Sequence, residues 1–326
     1  MSTHELSPWI AGDIGGTNAR FARVSRSGEL RDIAILRCAD HAGPTEALQA
    51  YLAAHPGPAP VAATIGIANP LDGDRVQMTN HSWNFSIEAM RKAIGLTQLD
   101  FLNDFTALAM SLSELRDGDR SQVGGGHARP RAAIGVIGPG TGLGVSGLIP
   151  CPGGYAPIEG EGGHVSIAGQ TAEELAVITA LYRMFPHVSA ERAVSGTGLP
   201  SLHQALAEVR GTRADPLTPP EIAERALNES DALCVAAMQM FCCLLGTAAA
   251  NLAVTLGARG GIYIGGGIVP KLGDFFLRSG FRQRFEDKGR FSAYLADIPT
   301  WIITSPVAAL IGAAAHLRQH ARQGAE

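Results

Sequence analysis

Two glycine turns constrain this chain more than any other feature. Gly12-Asp13-Ile14-Gly15-Gly16-Thr17-Asn18 joins strand-like runs at 9–13 and 21–24, and Gly138-Pro139-Gly140-Thr141-Gly142-Leu143-Gly144 joins runs at 132–137 and 144–149. Closely spaced glycines let a chain reverse while presenting several backbone N–H groups to one point. In the first half a third strand is predicted at 33–38, then a helix at 45–55 and a strand at 61–67. A helix capped by Ser86 and running to about residue 94 follows, then a strand at 99–102 and a helix at 105–115. The second half adds helices at 171–185, 200–209, 219–227 and 231–256, strands at 261–264 and 301–304, and a closing helix at 307–319. Both halves therefore open with strand, glycine turn and strand before helices, which hints at one α/β plan used twice. Identity between the halves is too low to establish a repeat. The polar, glycine-rich 116–131 stretch (RDGDRSQVGGGHARPR) reads as a linker or the hinge side of a boundary.

The 326 residues suffice for two cores. Charged residues are only 17% and hydrophobic ones 46%, which excludes a disordered chain. The 26 basic and 30 acidic residues give a net charge of −4, no footprint for nucleic acid or an acidic membrane. Cys38, Cys151, Cys234, Cys242 and Cys243 form an odd set without a CxxC pair, so reduced thiols and a cytoplasmic location are expected. No secretory signal is read at the N-terminus. The apolar 232–256 stretch is interrupted by Gln239 and Asn251 and reads as a buried core helix rather than a membrane span.

The first turn fits a phosphate cradle, with Thr17 and Asn18 adding side-chain donors. It is no Walker loop, since GxxxxGK[ST] is missing and a strand follows. In the second turn, 142–147 satisfies GxGxxG with Glu161 downstream, yet a dinucleotide fingerprint must open a helix and this one runs into a strand. Two such hairpins suit one polyphosphate gripped from both sides. A third run, Gly265-Gly266-Gly267, allows a flat nucleoside to lie against the backbone, although a plain strand-to-helix turn explains it as well.

Asp104, in Phe101-Leu102-Asn103-Asp104-Phe105, stands where a strand gives way to a helix. It is either a helix cap or a carboxylate projecting into a cleft, and Asn103 beside it favours chemistry. Glu159-Gly160-Glu161-Gly162-Gly163-His164 and Glu191-Arg192 are polar clusters suited to a polyhydroxylated ligand. Glu161 and His164 lack a third ligand for a metal. The other nine histidines are read as surface or core residues.

The chain resembles the bacterial glucokinases of the actin-like, hexokinase and Hsp70 ATPase superfamily. The resemblance is carried in family order by GDIGGTNARFA (12–22), MTNHSWNFS (78–86), FLNDFTA (101–107), GPGTGLG (138–144), EGEGGHVS (159–166), SAERAVSGTGL (189–199) and IGGGIVPKL (264–272). It implies two actin-like (ribonuclease H-like) α/β domains with mixed sheets flanked by helices and an interdomain cleft. Residues 1–115 with 305–326 would form the smaller domain and 116–304 the larger. It also implies ATP-dependent phosphorylation of glucose, with Asp104 as general base. Asn103, Asp104, Glu161, His164 and Glu191 would hold sugar hydroxyls, with Asn80 as a looser candidate. Gly12, Asp13, Ile14, Gly15, Gly16, Thr17 and Asn18 would take ATP phosphates, as would Gly138, Gly140, Thr141, Gly142 and Gly144. Gly265, Gly266 and Gly267 would take adenosine, and Asp13 would hold Mg2+ through water. A homodimer is implied by similarity alone. The ROK sugar kinases carry a CxCGxxGCxE zinc run after their sugar-site histidine; Val165-Ser166-Ile167 stands here instead, so no structural zinc is expected. Nor is a DNA-binding extension, since the first phosphate loop begins at residue 12. An oxidoreductase using a nicotinamide dinucleotide and a non-catalytic ATP-binding regulator are the two alternatives.

Overall fold

The computed structural model describes residues 6–79 and 81–323. Contacts divide the chain into two compact units: Met1–Asp119 with Pro150–Ile158 and Ser305–Glu326, and Arg120–Ile149 with Glu159–Thr304. Pro150–Ile158 thus groups with the first unit, apart from the residues on either side of it.

In the first unit the chain runs β1 (Leu6–Ile14), β2 (Asn18–Ser25), β3 (Leu30–Arg37), α1 (Pro44–Ala54), β4 (Ala62–Ile67), β5 (Arg75–Gln77), β6 (Asn84–Ser86), α2 (Ile87–Ile94), β7 (Gln98–Asn103) and α3 (Asp104–Ser111). The sheet order is β3-β2-β1-β4-β7. The hairpins β1-β2 and β2-β3 are antiparallel, whereas β1, β4 and β7 run parallel. A parallel strand buried on both faces needs apolar residues throughout, and every residue of β4 (AATIGI) is buried. Ile10, Ile14, Phe21 and Ile65 pack on one side with Leu48 and Tyr51 of α1. Ala11, Ala22 and Val24 pack on the other with Leu310 and Ala314. Ser86 caps α2 as expected, accepting from the Ala89 N–H. The helix predicted to reach residue 115 stops at Ser111, whose hydroxyl donates to the Leu108 carbonyl.

The second unit opens with β8 (Arg120–Val123), β9 (Ile134–Pro139) and β10 (Leu143–Cys151), after which β11 (Gly154–Ile158) returns to the first unit. There follow α4 (Ala172–Met184), α5 (Ala190–Ala193), α6 (Leu199–Val209), α7 (Pro219–Leu227), α8 (Ala232–Leu256), β12 (Ile262–Ile264), α9 (Val269–Leu272), α10 (Asp274–Arg278), α11 (Phe281–Glu286), α12 (Ser292–Ala296) and β13 (Thr300–Ile303). The closing α13 (Ala308–Gln323) belongs to the first unit. Within the second unit the strands lie in the order β10-β9-β12-β13-β8. The 116–131 stretch is therefore more than a linker. Its middle forms β8, antiparallel to β13, and the buried Thr300 hydroxyl donates to the Val123 carbonyl at 2.6 Å. A sheet-edge strand can expose polar residues such as Ser121 and Gln122, which hides the alternation that would identify it. Helix α8 is the expected core helix. Asp231 caps it through the N–H groups of Leu233 and Cys234, and 67% of its most apolar window is buried, with Phe241 and Leu245 in the core beside Phe281 and Phe285. All five cysteines are free thiols, and burial pushes Cys234 up to about 11 and Cys242 to about 12.

Candidate active site

Parallel strands end together, and in open α/β sheets ligands gather at their carboxyl ends. In the first unit Ile14, Ile67 and Asn103 stand in one row across β1, β4 and β7. This places the 15–17 turn and the Asn103-Asp104 pair on the same edge of the sheet. Asn103 is the N-cap of α3, its Oδ1 accepting from the Phe105 N–H at 2.9 Å, and the Asp104 Oδ1 accepts from the same N–H at 2.9 Å. The cap is therefore Asn103, and Asp104 occupies the first helical position. A carboxylate there is favoured by the positive end of the helix dipole.

Asp13, at the end of β1, is mostly buried. Loss of hydration pushes its carboxyl above the ordinary range, while the Arg20 guanidinium, donating to Oδ2 at 2.9 Å, opposes that rise. The turn closes through the Gly15 N–H on the Asn18 carbonyl at 2.9 Å. It is tied to Cys38, whose N–H donates to the Thr17 carbonyl at 2.9 Å and whose Sγ lies 3.5 Å from the Gly15 carbonyl. Gly12 lies inside β1, where a Cβ would come within 2.9 Å of Ile65 and 3.1 Å of Phe21; packing of the sheet accounts for it.

In the second unit β9 and β12 are parallel, so the 138–144 turn and the 265–267 run share one edge. The two are welded together. The Gly265 N–H donates to the Ile137 carbonyl at 2.9 Å, and Gly266, at φ +76°, presses so closely on Gly138 and Pro139 that a Cβ would run into the Pro139 carbonyl oxygen. A third segment, 195–198, joins them: the Gly196 N–H donates to the Gly140 carbonyl at 2.8 Å, and the Thr197 hydroxyl donates to the Thr141 carbonyl at 3.1 Å. Beside these loops lies a mostly apolar cavity of about 460 Å³, lined by Gly140, Thr197, Pro220, Leu227, Gly267 and Lys271 among others. It has the size and character of a small-ligand pocket.

Glu161 precedes and His164 ends a short 3-10 turn (Gly162–His164), with Nε2 and Oε2 3.9 Å apart and side chains 60% and 73% exposed for His164 and Glu161. Gly163 lies against the Leu143 carbonyl, where a Cβ would not fit. The Leu143 N–H donates to the Glu191 Oε2 at 2.9 Å. Leu143 thus receives Glu191 on one side of its backbone and the Glu161–His164 turn on the other. The Ala190 N–H, donating to the Val165 carbonyl at 2.8 Å, fastens that turn to α5.

A family model described as Glucokinase matches residues 10–320. A glucokinase of Aromatoleum aromaticum is 55% identical over 312 residues, 95% of this chain and 94% of that protein. One from Chromobacterium violaceum is 52% identical over 316 residues, 97% of this chain and 91% of that protein. The chain belongs to the glucokinase family. A crystal structure of a glucokinase from an Antarctic psychrotroph matches with a TM-score of 0.90 at 35% identity, covering 95% of this chain and 98% of that one. The fold is the actin-like ATPase fold expected from the sequence.

Against this family membership, the structure brings Glu161, His164 and Glu191 together around Leu143, and gathers the 138–144 and 265–267 glycines on one edge. Asp13, the 15–18 turn, Asn103 and Asp104 share the edge of the other sheet. Asn80 lies outside the described residues. The GxGxxG match leads into β10, a strand, so it does not build a dinucleotide site. From the sequence no site role falls to Cys38, Pro220 or Leu227, nor to the 195–198 segment and Lys271, although the last two lie in runs that carry the resemblance. SGTG at 195–198 was the one visible signal, a glycine pair beside hydroxyls.

Proposed function

We propose that this chain transfers the γ-phosphoryl group of ATP to the 6-hydroxyl of glucose, as a cytoplasmic, homodimeric enzyme with Mg2+ as its ion. The observation that carries the reading is Asp104, set at the first position of α3 on the sheet edge that also bears Asp13 and the glycine turn. Asp104 accepts the proton of the 6-hydroxyl as that oxygen attacks the γ-phosphorus; the bond to the β,γ-bridging oxygen breaks and ADP leaves. Asn103, Glu161, His164 and Glu191 accept from or donate to the remaining hydroxyls. Backbone N–H groups of the turns stabilise charge on the phosphate oxygens, and the cavity beside Gly267 receives the adenine. Asp13 fits an ion held through water, since one carboxylate oxygen is engaged by Arg20 and its burial places a negative charge beside the turn. Mg2+, when bound, supplies neutralisation of phosphate charge.

Wild-type protein should release ADP from ATP only when glucose is present. Asp104→Asn should lower kcat by about 10²- to 10⁴-fold while glucose binding, measured by calorimetry, stays within about twofold. Retention of more than about a tenth of wild-type turnover would remove Asp104 as the base.

A further inference from the structure

Two of the nine histidines read as bland, His316 and His320, lie one helical turn apart on α13, and the fold brings Asp100 of β7 to them. One ligand atom from each of the three residues falls within 4.8 Å of the other two. We propose that Asp100, His316 and His320 form a binding site for a divalent transition-metal ion, Zn2+ foremost, that fastens α13 to β7. The site stands apart from the residues assigned to catalysis and does not depend on that assignment.

The donor set is right for such an ion. Imidazole nitrogen and carboxylate oxygen suit zinc, cobalt and nickel, whereas the harder Mg2+ and Ca2+ prefer oxygen alone. Histidines at i and i+4 project from one helix face, and here their ring centroids are 4.1 Å apart. Both rings and the carboxylate are also held from outside, as metal ligands usually are. The Nδ1 of His320 lies 3.1 Å from the His316 carbonyl oxygen, which leaves its Nε2 as the coordinating atom. The Nδ1 of His316 lies 3.1 Å from the hydroxyl of fully buried Thr64 and 3.8 Å from Asp100 Oδ2. Asp100 Oδ2 accepts in turn from the Gln98 side-chain amide. His316 is largely buried and His320 exposed, so the three ligands would hold the ion where the protein interior meets solvent.

The location gives the ion a consequence. Asp100 lies on the strand that ends at Asn103, and α13 packs along α3, the helix that begins at Asp104. Asp100 stands opposite Thr64 of β4, which His316 also touches, so an ion bridging α13 and β7 would brace the edge strand from the sheet face that α13 covers.

The test uses the full-length protein after treatment with chelator, titrated with Zn2+ by calorimetry and with Co2+ by absorption spectroscopy. One ion should bind per chain, raise the thermal midpoint, and give Co2+ ligand-field bands of a nitrogen and oxygen set. His320→Ala, at an exposed position, and Asp100→Asn should each weaken binding by more than about tenfold. Failure of wild-type protein to bind Zn2+, unchanged affinity in both variants, or Co2+ bands of thiolate charge transfer, which would place the ion on a cysteine, would each overturn the site.

Discussion

The two glycine turns look alike in sequence and are held in different ways. The first, at 15–18, is local: a single hydrogen bond closes it, Cys38 tethers it, and Asp13 leans on Arg20 within the same hairpin. The second, at 138–144, is built into its surroundings, with Gly266 wedged against Pro139, Gly196 bonded to Gly140 and Glu191 bonded to Leu143. A turn clamped by three distant segments resists rearrangement, while one closed on itself can adjust to what binds there. The same glycine-rich composition therefore yields a rigid cradle in one unit and a compliant one in the other.

Substitutions separate the two cases. Gly266→Ala combines a left-handed backbone with a collision against a carbonyl oxygen, and should cost about 2–4 kcal/mol, read as a lowered thermal midpoint. A midpoint equal to wild type would mean that the second turn is not clamped. Glu191→Ala removes a charge-assisted hydrogen bond as well as a proposed sugar contact. The KM values for both glucose and ATP should rise by about tenfold, equivalent to about 1.4 kcal/mol each. If only the glucose value moved, the brace on Leu143 would be dispensable.

Arg20→Met leaves Asp13 mostly buried without its counter-charge and should cost about 1 kcal/mol at neutral pH, a modest figure because Arg20 is itself 32% exposed. Asp13 already has a folded-state carboxyl above the ordinary value, and loss of Arg20 raises it further. The variant's deficit is therefore full above that folded value and shrinks as pH falls through it and the carboxylate protonates. Denaturant midpoints at several pH values check the sign. Gly15→Ala should be the mildest change. A Cβ there meets only the Asn18 carbonyl oxygen, at 3.7 Å, so stability should shift by under about 0.5 kcal/mol. Any loss then appears in the KM for ATP, where a phosphate needs close approach to the backbone.

Much of this contrast was beyond the reach of the sequence. Glycine runs announce turns, and the strand-turn-strand patterns at 9–24 and 132–149 were legible because apolar runs broke at small residues. Asp104 was legible as a strand-to-helix junction residue, but its neighbour Asn103 takes the cap, a division that depends on backbone angles rather than composition. Cys38 looks like any core cysteine until β3 carries it to the first turn. Strand β8 was hidden because an edge position tolerates polar residues. The 195–198 segment and the cavity wall from α7 meet the second turn only through long-range packing, which no local pattern records.

Among the described residues strand β7 pairs with β4 alone, from Gln98 opposite Ala62 to Asn103 opposite Ile67. Successive strand residues face opposite ways, so removing one residue between Gln98 and Leu102 would rotate everything after it by half a turn. The length of this strand is therefore fixed more tightly than its apolar side chains, because the carboxylate at its end would otherwise aim through the opposite face of the sheet.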